Sequence, residues 1–488
     1  VSVRTSINVT AQASPSATAR SVTGRAFFIG RTTRGPVGPT RVFGPAEFVS
    51  RFGGRATNSQ AMYDAVMAYF AAGGVEAVIV RTVGATAAKA TVTLTATNSI
   101  VVTALEVGDY ANTWTAAYDT ATKTLTITTD TGVETYTGTD LASLLTAASA
   151  STNVVVTSPS SALPTGNVAA TALATGADQF ATATLSAQLD QLPATWGPGV
   201  IVVPGYAHSD TFAAGGAVGV TVAAHCATVG HRDALVSSPG TVNTAAGWES
   251  DKAVVRALAN SHLLTPCWPA VVQPIATGAT QVLATVDPCA VVAGRRAAAH
   301  GIGPWVSGIR ADLREIPGPT DVAYQLTDAQ ALTAFASGGV LLRRENRPDA
   351  TVVVVGSWKT ASTITGDTAK HLHGLQHRDL CLAIAYEASV IGSGQEGITV
   401  DGDGSAVGAF EAYLRALLEK YVSAGALYAK RNPDGTILPA YTVDTSSAVN
   451  TTESLAAGIL RASVRVRLSP VAEYVVINIV AGDAGLAL

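Results

Sequence analysis

RAFFIGRTTRGPVGP (residues 25–39), NSQAMYDAVMAYFAAGG (58–74) and VEAVIVRTVG (75–84) read as strand, glycine turn, helix and buried strand. Met62, Val66, Tyr69 and Phe70 recur at helical spacing, Asn58 or Ser59 stands where an N-cap is expected, and Gly73-Gly74 ends the run. Two apolar strands joined through a helix with short connections form the unit of a mostly parallel α/β sheet with a right-handed crossover.

The same texture returns further along. GVIVVPGY (199–206), DALVSSPG (233–240), LLTPCWPAVV (263–272) and ATVVVVGSWK (350–359) read as buried strands. Between them, TVAAHCATVG (221–230) and a segment around Lys252 to Ser261 read as helices. Residues 86–178 differ: VTLTATNSIVVT, NTWTAAYD and KTLTITTDTGVETYT alternate Thr with Val, Leu or Ile between Asp-Thr and Thr-Gly turns. They form a mainly β insertion, and one twisted sheet is expected to assemble around it.

The C-terminal part carries an amphipathic helix, VGAFEAYLRALLEKYV (407–422), with Phe410, Leu414, Leu417 and Tyr421 on its apolar side. Opposite them Glu411, Arg415 and Glu419 stand at i, i+4 spacing, where pairs contribute roughly 0.3–0.5 kcal/mol each. Asn432-Pro433-Asp434-Gly435 is a turn between extended segments. Both termini read as strands. VRVRLSPVAEYVVINIV (464–480) alternates Val464, Val466 and Leu468 with Arg465 and Arg467. VSVRTSINVTAQ (1–12) is separated from the core by the small, polar linker ASPSATARSVTG (13–24).

At 488 residues the chain has material for two to four domains. Only 14% of its residues are charged, 48% are hydrophobic, and its net charge is −4 with no Lys/Arg block. Low surface charge points to assembly, and the missing positive stripe argues against a nucleic-acid groove. Cys226, Cys267, Cys289 and Cys381 are scattered without a C-x-x-C pair and read as buried thiols of a reduced compartment. No apolar run reaches membrane-span length and no secretory signal opens the chain, so a soluble protein made without export is expected.

Motifs for chemistry are incomplete. GRTTRG (30–35) has phosphate-loop glycine spacing, but Pro36 and Val37 replace the required Lys and Ser/Thr. HLHGLQHRD offers His371, His373, His377 and Asp379, with His373 and His377 four apart, but no third ligand falls on their face. DGDG (401–404) lacks both the turn Gly and the bidentate Glu of a calcium loop, with Ala406 and Ala412 in their places. G-x-S-x-G is missing. The residues alone leave open an enzyme using His373, His377 or Cys381 and an extracellular surface-array protein. The expectation is a non-enzymatic chain with no metal and no cofactor.

In order, AFFIGRTTRGPVGP, AEFVSRFGG and AMYDAVMAYFAAGGVEAVIVR resemble the N-terminal pattern of contractile tail sheath proteins of bacteriophages and related injection machines. VIVVPGY, HRDALVSSPG, DPCAVVAGRRAAAHGIGPWVSG, LTDAQALTAFASGGVLLRR and VVVVGSWKTAS continue the resemblance through the centre. GDYAN (108–112) is similar to a G-x-x-G-N of sheath insertions, with Ala111 in place of the second Gly. YVSAGALYA, RNPDG and the final double strand fit the C-terminal part.

The resemblance implies an α/β (α+β mixed) multidomain chain. It would consist of an N-terminal arm and linker (1–24), a sheath core in two parts (25–85 and 179–365) with a mixed sheet flanked by helices, a β-rich outer insertion domain (86–178), and a C-terminal sheath domain with a terminal strand arm (366–488). It implies a homo-oligomer of stacked rings that polymerises around an inner tail tube protein, bounded by baseplate and tail terminator proteins. Contraction would drive the tube through a host envelope, without nucleic acid contact or membrane insertion. Such a subunit belongs to a virion tail assembled in the bacterial cytoplasm, or to a headless injection device. Strand exchange between copies would involve Val3, Ser6, Ile7 and Val9 at one end, and Val464, Val466, Leu468, Tyr474, Val476, Ile477 and Ile479 at the other. Bending would fall at Ser14, Pro15, Ser16 and Gly24, and Glu411, Arg415 and Glu419 are the candidates to face the tube.

Overall fold

The computed structural model describes residues 24–95, 97–300, 315–327, 329–331, 333, 338–344, 352–355, 375–397 and 404–469. Its centre is an eight-stranded sheet of β1 (Ala26–Gly30), β2 (Thr40–Val42), β3 (Ala77–Arg81), β4 (Gly199–Val202), β5 (Arg232–Ser237), β6 (Leu264–Trp268), β7 (Val340–Arg344) and β8 (Val352–Val355). The spatial order is β8-β7-β6-β5-β4-β1-β3-β2. The six inner strands run parallel, and β2 and β8 close the two edges antiparallel.

Burial of both faces explains the uninterrupted apolar strands. In β1, Ala26 and Phe28 enter one core while Phe27 and Ile29 enter the other. Each such Phe or Ile contributes roughly 1.5–3 kcal/mol by leaving water. The first face is covered by α1 (Pro45–Phe52), α2 (Gln60–Ala71), α5 (Pro288–His300) and the hairpin of Val271–Thr277 with Thr280–Val286. The second is covered by α3 (Val218–Val229) and α4 (Ala245–Ala257).

Helix α2 lies where expected, and eight consecutive residues from Met62 to Tyr69 are buried because sheet, hairpin and α5 enclose it. Gly294 of α5 allows the closest approach: a Cβ there would lie 2.2 Å from the Tyr69 carbonyl oxygen. Ser59 occupies the N-cap position of α2, but its hydroxyl meets Thr33 Oγ1 at 2.9 Å and does not cap the helix.

Three readings of the sequence need correction. Helix α4 lies N-terminal to the Lys252–Ser261 expectation, because Thr244 caps it through Gly247 N at 3.0 Å and Leu258 is extended. LLTPCWPAVV is two strands: β6 stops at Trp268, a cis Trp268–Pro269 bond follows, and Val271 begins the hairpin. Between β1 and α2 the chain also forms β2 and α1, which the simple strand–helix–strand reading omitted.

The Thr-rich region forms two antiparallel sheets. Lys89–Leu94, Ile100–Val107 and Val154–Thr157 make one, and Thr115–Asp119, Thr124–Thr129, Gly132–Thr137 and Val168–Ala172 make the other. Leu94, Ile100, Trp114, Leu125 and Ile127 share a core with Leu144 of the helix Leu141–Ala148. That helix went unread because its capping box uses Asp140 with Ser143 instead of Glu or Gln.

Buried Arg81 fastens this region to the sheet, donating to Gly35 O at 2.7 Å and Val107 O at 2.8 Å. Within GDYAN, Asn112 exchanges two 2.9 Å hydrogen bonds with the backbone of Gly176. The GRTTRG turn is thus tied down by its own chain through Gly35, as a glycine turn leaving a strand.

Candidate functional site

The C-terminal unit is built on α6 (Leu375–Ser393) and α7 (Ser405–Ser423), which pack through Leu380, Ile384, Phe410, Leu414, Leu418 and Tyr421. Leu418 is buried where the sequence pointed to Leu417, which packs at the margin. Across α7 lie two antiparallel strands, Tyr441–Asp444 and Ser463–Val466, with Tyr441 opposite Val466 and Val443 opposite Val464.

The terminal strand therefore pairs within its own chain. Arg467 N donates to Ala440 O at 2.7 Å, and Leu468 bridges to Leu427. Antiparallel alternation then turns the backbone of residues 463, 465 and 467 inward and that of Val464 and Val466 to the outer edge. Among the described residues no strand covers that edge.

Beside it runs an apolar groove of about 270 Å³, lined by Ile384, Ala385, Leu414, Leu417, Val464 and Val466. Val464 and Val466 are half-buried against this core. A row of outward backbone donors and acceptors above an apolar floor is the chemistry that accepts an added strand.

This unit is joined to the central sheet by a buried charge network that sequence reasoning missed. Asp233 at the start of β5 receives Arg296 of α5 through Nη1 at 2.7 Å and Nη2 at 3.0 Å. Arg296 Nε donates to Asp379 Oδ2 at 3.0 Å, and Nη2 also reaches Asp379. Arg378 bonds Asp233, Thr265 Oγ1 at 2.9 Å and His262 O at 3.0 Å.

All four residues are at most 3% exposed. Burial works against the charge of Arg296, yet Asp233 and Asp379 outweigh it and hold the guanidinium above its ordinary pKa. For Arg378, burial prevails and the pKa is lowered. The signal was present in the sequence as two His-Arg-Asp tripeptides, His231–Asp233 and His377–Asp379, which meet around Arg296.

The same network removes Asp379 from any open metal site. His377 Nε2 lies 3.0 Å from Ser469 O, and burial pushes the Cys381 thiol up to about 11. His371 and His373 lie outside the described residues, as do Asp401 and Asp403; Gly404 is the N-cap of α7. Among the described residues no three His, Cys, Asp or Glu side chains gather into a metal-binding group, and no helix is long and apolar enough to cross a membrane.

Glu411, Arg415 and Glu419 come together on α7 beside Tyr441–Asp444. Arg415 Nε donates to Glu411 Oε1 at 2.7 Å, Thr445 Oγ1 donates to Glu411 Oε2 at 2.5 Å, and Tyr441 Oη donates to Glu419 Oε1 at 2.6 Å. Gly24 is the first described residue, while Val3, Ser6, Ile7, Val9, Ser14, Pro15, Ser16, Tyr474, Val476, Ile477 and Ile479 lie outside the described residues.

An α/β core, an inserted pair of β-sheets and a helical unit ending in an open two-stranded sheet make up a fold similar to that of solved sheath tail proteins. The chain is similar to a sheath tail protein of Desulfitobacterium hafniense at 16% identity over 86% of this chain and 90% of that one, with a TM-score of 0.57. It is similar to a sheath tail protein of Listeria innocua at 15% identity over 88% and 92%, with a TM-score of 0.59. The helical sheath of the anti-feeding prophage in its contracted state matches at 14% identity over 94% and 93%, with a TM-score of 0.54. No protein-family model matches the sequence, and no curated protein matches it.

Proposed function

We propose that the chain is a structural, non-enzymatic subunit of a contractile sheath, which polymerises helically around an inner tube and contracts to drive that tube through a cell envelope. The observation that carries this reading is the open edge at Val464 and Val466 above an apolar groove, in a chain with the sheath fold. The N-terminal strand of one copy (Val3, Ser6, Ile7, Val9) and the C-terminal segment of another (Tyr474, Val476, Ile477, Ile479) complete this sheet, with Leu468 continuing its edge.

Each backbone hydrogen bond contributes roughly 0.5–1.5 kcal/mol, so one added strand gives a few kcal/mol and the lattice multiplies it. The buried charge network supports movement of core and C-terminal unit as one body, which leaves bending to the linker at Ser14, Pro15, Ser16 and Gly24. Glu411, Arg415 and Glu419 face the tube in this reading. Baseplate and terminator proteins bound the polymer, and the assembled particle is a virion tail or a headless injection device built in the bacterial cytoplasm.

Negative-stain imaging of the purified full-length protein tests the reading. Rings or tubes are expected, and a monomer at every concentration would contradict it.

A further inference from the structure

The central sheet has a cleft of about 610 Å³ at the carboxyl ends of β4, β5 and β6, bounded by Gly205, Ser237 and Trp268. In open α/β sheets this is where ligands seat. Among its lining residues are Asp64, Asp210 and Asp287, with no Lys or Arg. Asp64 is already held by Arg55 through two hydrogen bonds of 2.7 and 2.8 Å.

Asp210 and Asp287 have no cationic partner among the described residues. Asp210 accepts from Ala207 N at 2.7 Å, and Asp287 accepts from Cys289 N at 2.9 Å and, more distantly, from Gly205 N and Ser237 Oγ at 3.4 Å. Burial raises the Asp287 carboxyl above its ordinary pKa, a cost that an arriving cation relieves. Trp268 and Tyr324 also line the cleft and form an aromatic wall, their rings 5.2 Å apart. Two carboxylates beside aromatic faces suit a Lys or Arg head group with its apolar stem.

The same chain presents such a group. The hairpin of Lys430–Arg431 with Ile437–Leu438 stands out from the C-terminal unit, with Ile437 63% and Leu438 39% exposed. Lys430 and Arg431 are exposed and have no carboxylate partner among the described residues. Arg467 Nη1 braces the hairpin at Leu438 O at 3.3 Å.

We propose that the Lys430–Leu438 hairpin of one copy docks in the Asp210–Asp287 cleft of a second copy, with Lys430 and Arg431 meeting the carboxylates and Ile437 packing on the aromatic wall. This head-to-tail contact is heterologous, the class of contact from which rings and helical arrays are built. It rests on the sheath reading only in needing a second copy, and it is separate from the strand edge at Val464.

Carbodiimide cross-linking of a mixture of ordinary and ¹⁵N-labelled full-length protein tests the contact by mass spectrometry. The expected result is a Lys430–Asp210 or Lys430–Asp287 link joining light and heavy chains. The double variant K430D/R431D should raise the concentration needed for assembly at least about tenfold, and adding D210K should restore most of it, since like charges facing each other across an interface oppose association. Polymers that form without the link and ignore the charge reversal would overturn the contact and leave the sheath reading standing. The link in a protein that makes no polymer would support the contact and overturn the sheath reading. Neither link nor polymer would overturn both.

Discussion

Arg296 of α5 grips Asp233 of β5 through two parallel hydrogen bonds of 2.7 and 3.0 Å, with no solvent exposure at the carboxylate. The planar guanidinium also reaches Asp379, so one side chain joins the sheet to the first C-terminal helix. Asp233→Asn leaves Arg296 and Arg378 under-compensated in a buried site, and such a loss costs about 3–5 kcal/mol. Urea unfolding should show the drop, and a change under ~1 kcal/mol would mean the network does not hold the two units together.

Packing of α2 on α5 yields a second prediction. A methyl group at Gly294 would sit 2.2 Å from the Tyr69 carbonyl oxygen, so Gly294→Ala must push the helices apart at a cost of about 1–3 kcal/mol. Gly392 in α6 has nothing within 4 Å of the same methyl, and Gly392→Ala should be neutral or stabilising by up to about 1 kcal/mol. Thermal melts of the two variants should move apart, and equal shifts would contradict the account.

Stability should depend on pH through His225. Burial, and then the neighbouring Arg232, push its pKa down to about 4. The unfolded chain therefore binds a proton below about pH 6.5 that the folded chain refuses, and stability falls as pH drops from 6.5 toward 4. His225→Gln should flatten that slope in unfolding free energies measured across this window. An unchanged slope would assign the acid sensitivity elsewhere.

The groove under the open edge can be filled without touching the core. Ala385 is exposed on α6 and lines the groove. Ala385→Glu keeps helix propensity and places a charge where an added strand would pack. The variant should melt within a few degrees of the parent by circular dichroism yet fail to assemble in sedimentation, whereas normal assembly would remove the groove from the interface.

What the sequence disclosed follows from the range of each interaction. AFFIG and AVIVR read correctly because a strand buried on both faces must be continuously apolar, whatever its neighbours. VRVRL read correctly as a strand because Val464 and Val466 alternate with arginines, but its partner Tyr441–Asp444 depends on tertiary pairing. The charge network was out of reach for the same reason: Asp233 lies 63 residues from Arg296 and 145 from Arg378 in sequence. Only the repeated His-Arg-Asp hinted that two distant segments share an environment. Leu417 and Leu418 both fit a helical stripe, and the tertiary core of the C-terminal unit takes Leu418 while Leu417 packs at its margin.

The central claim is that terminal strands of neighbouring copies complete the sheet that Val464 and Val466 leave open. Full-length protein and a version lacking residues 1–20 should be compared side by side by negative-stain microscopy and analytical sedimentation. The account predicts rings or tubes from the full-length protein and a folded monomer from the shortened one. Ordinary tubes from the shortened protein would contradict it.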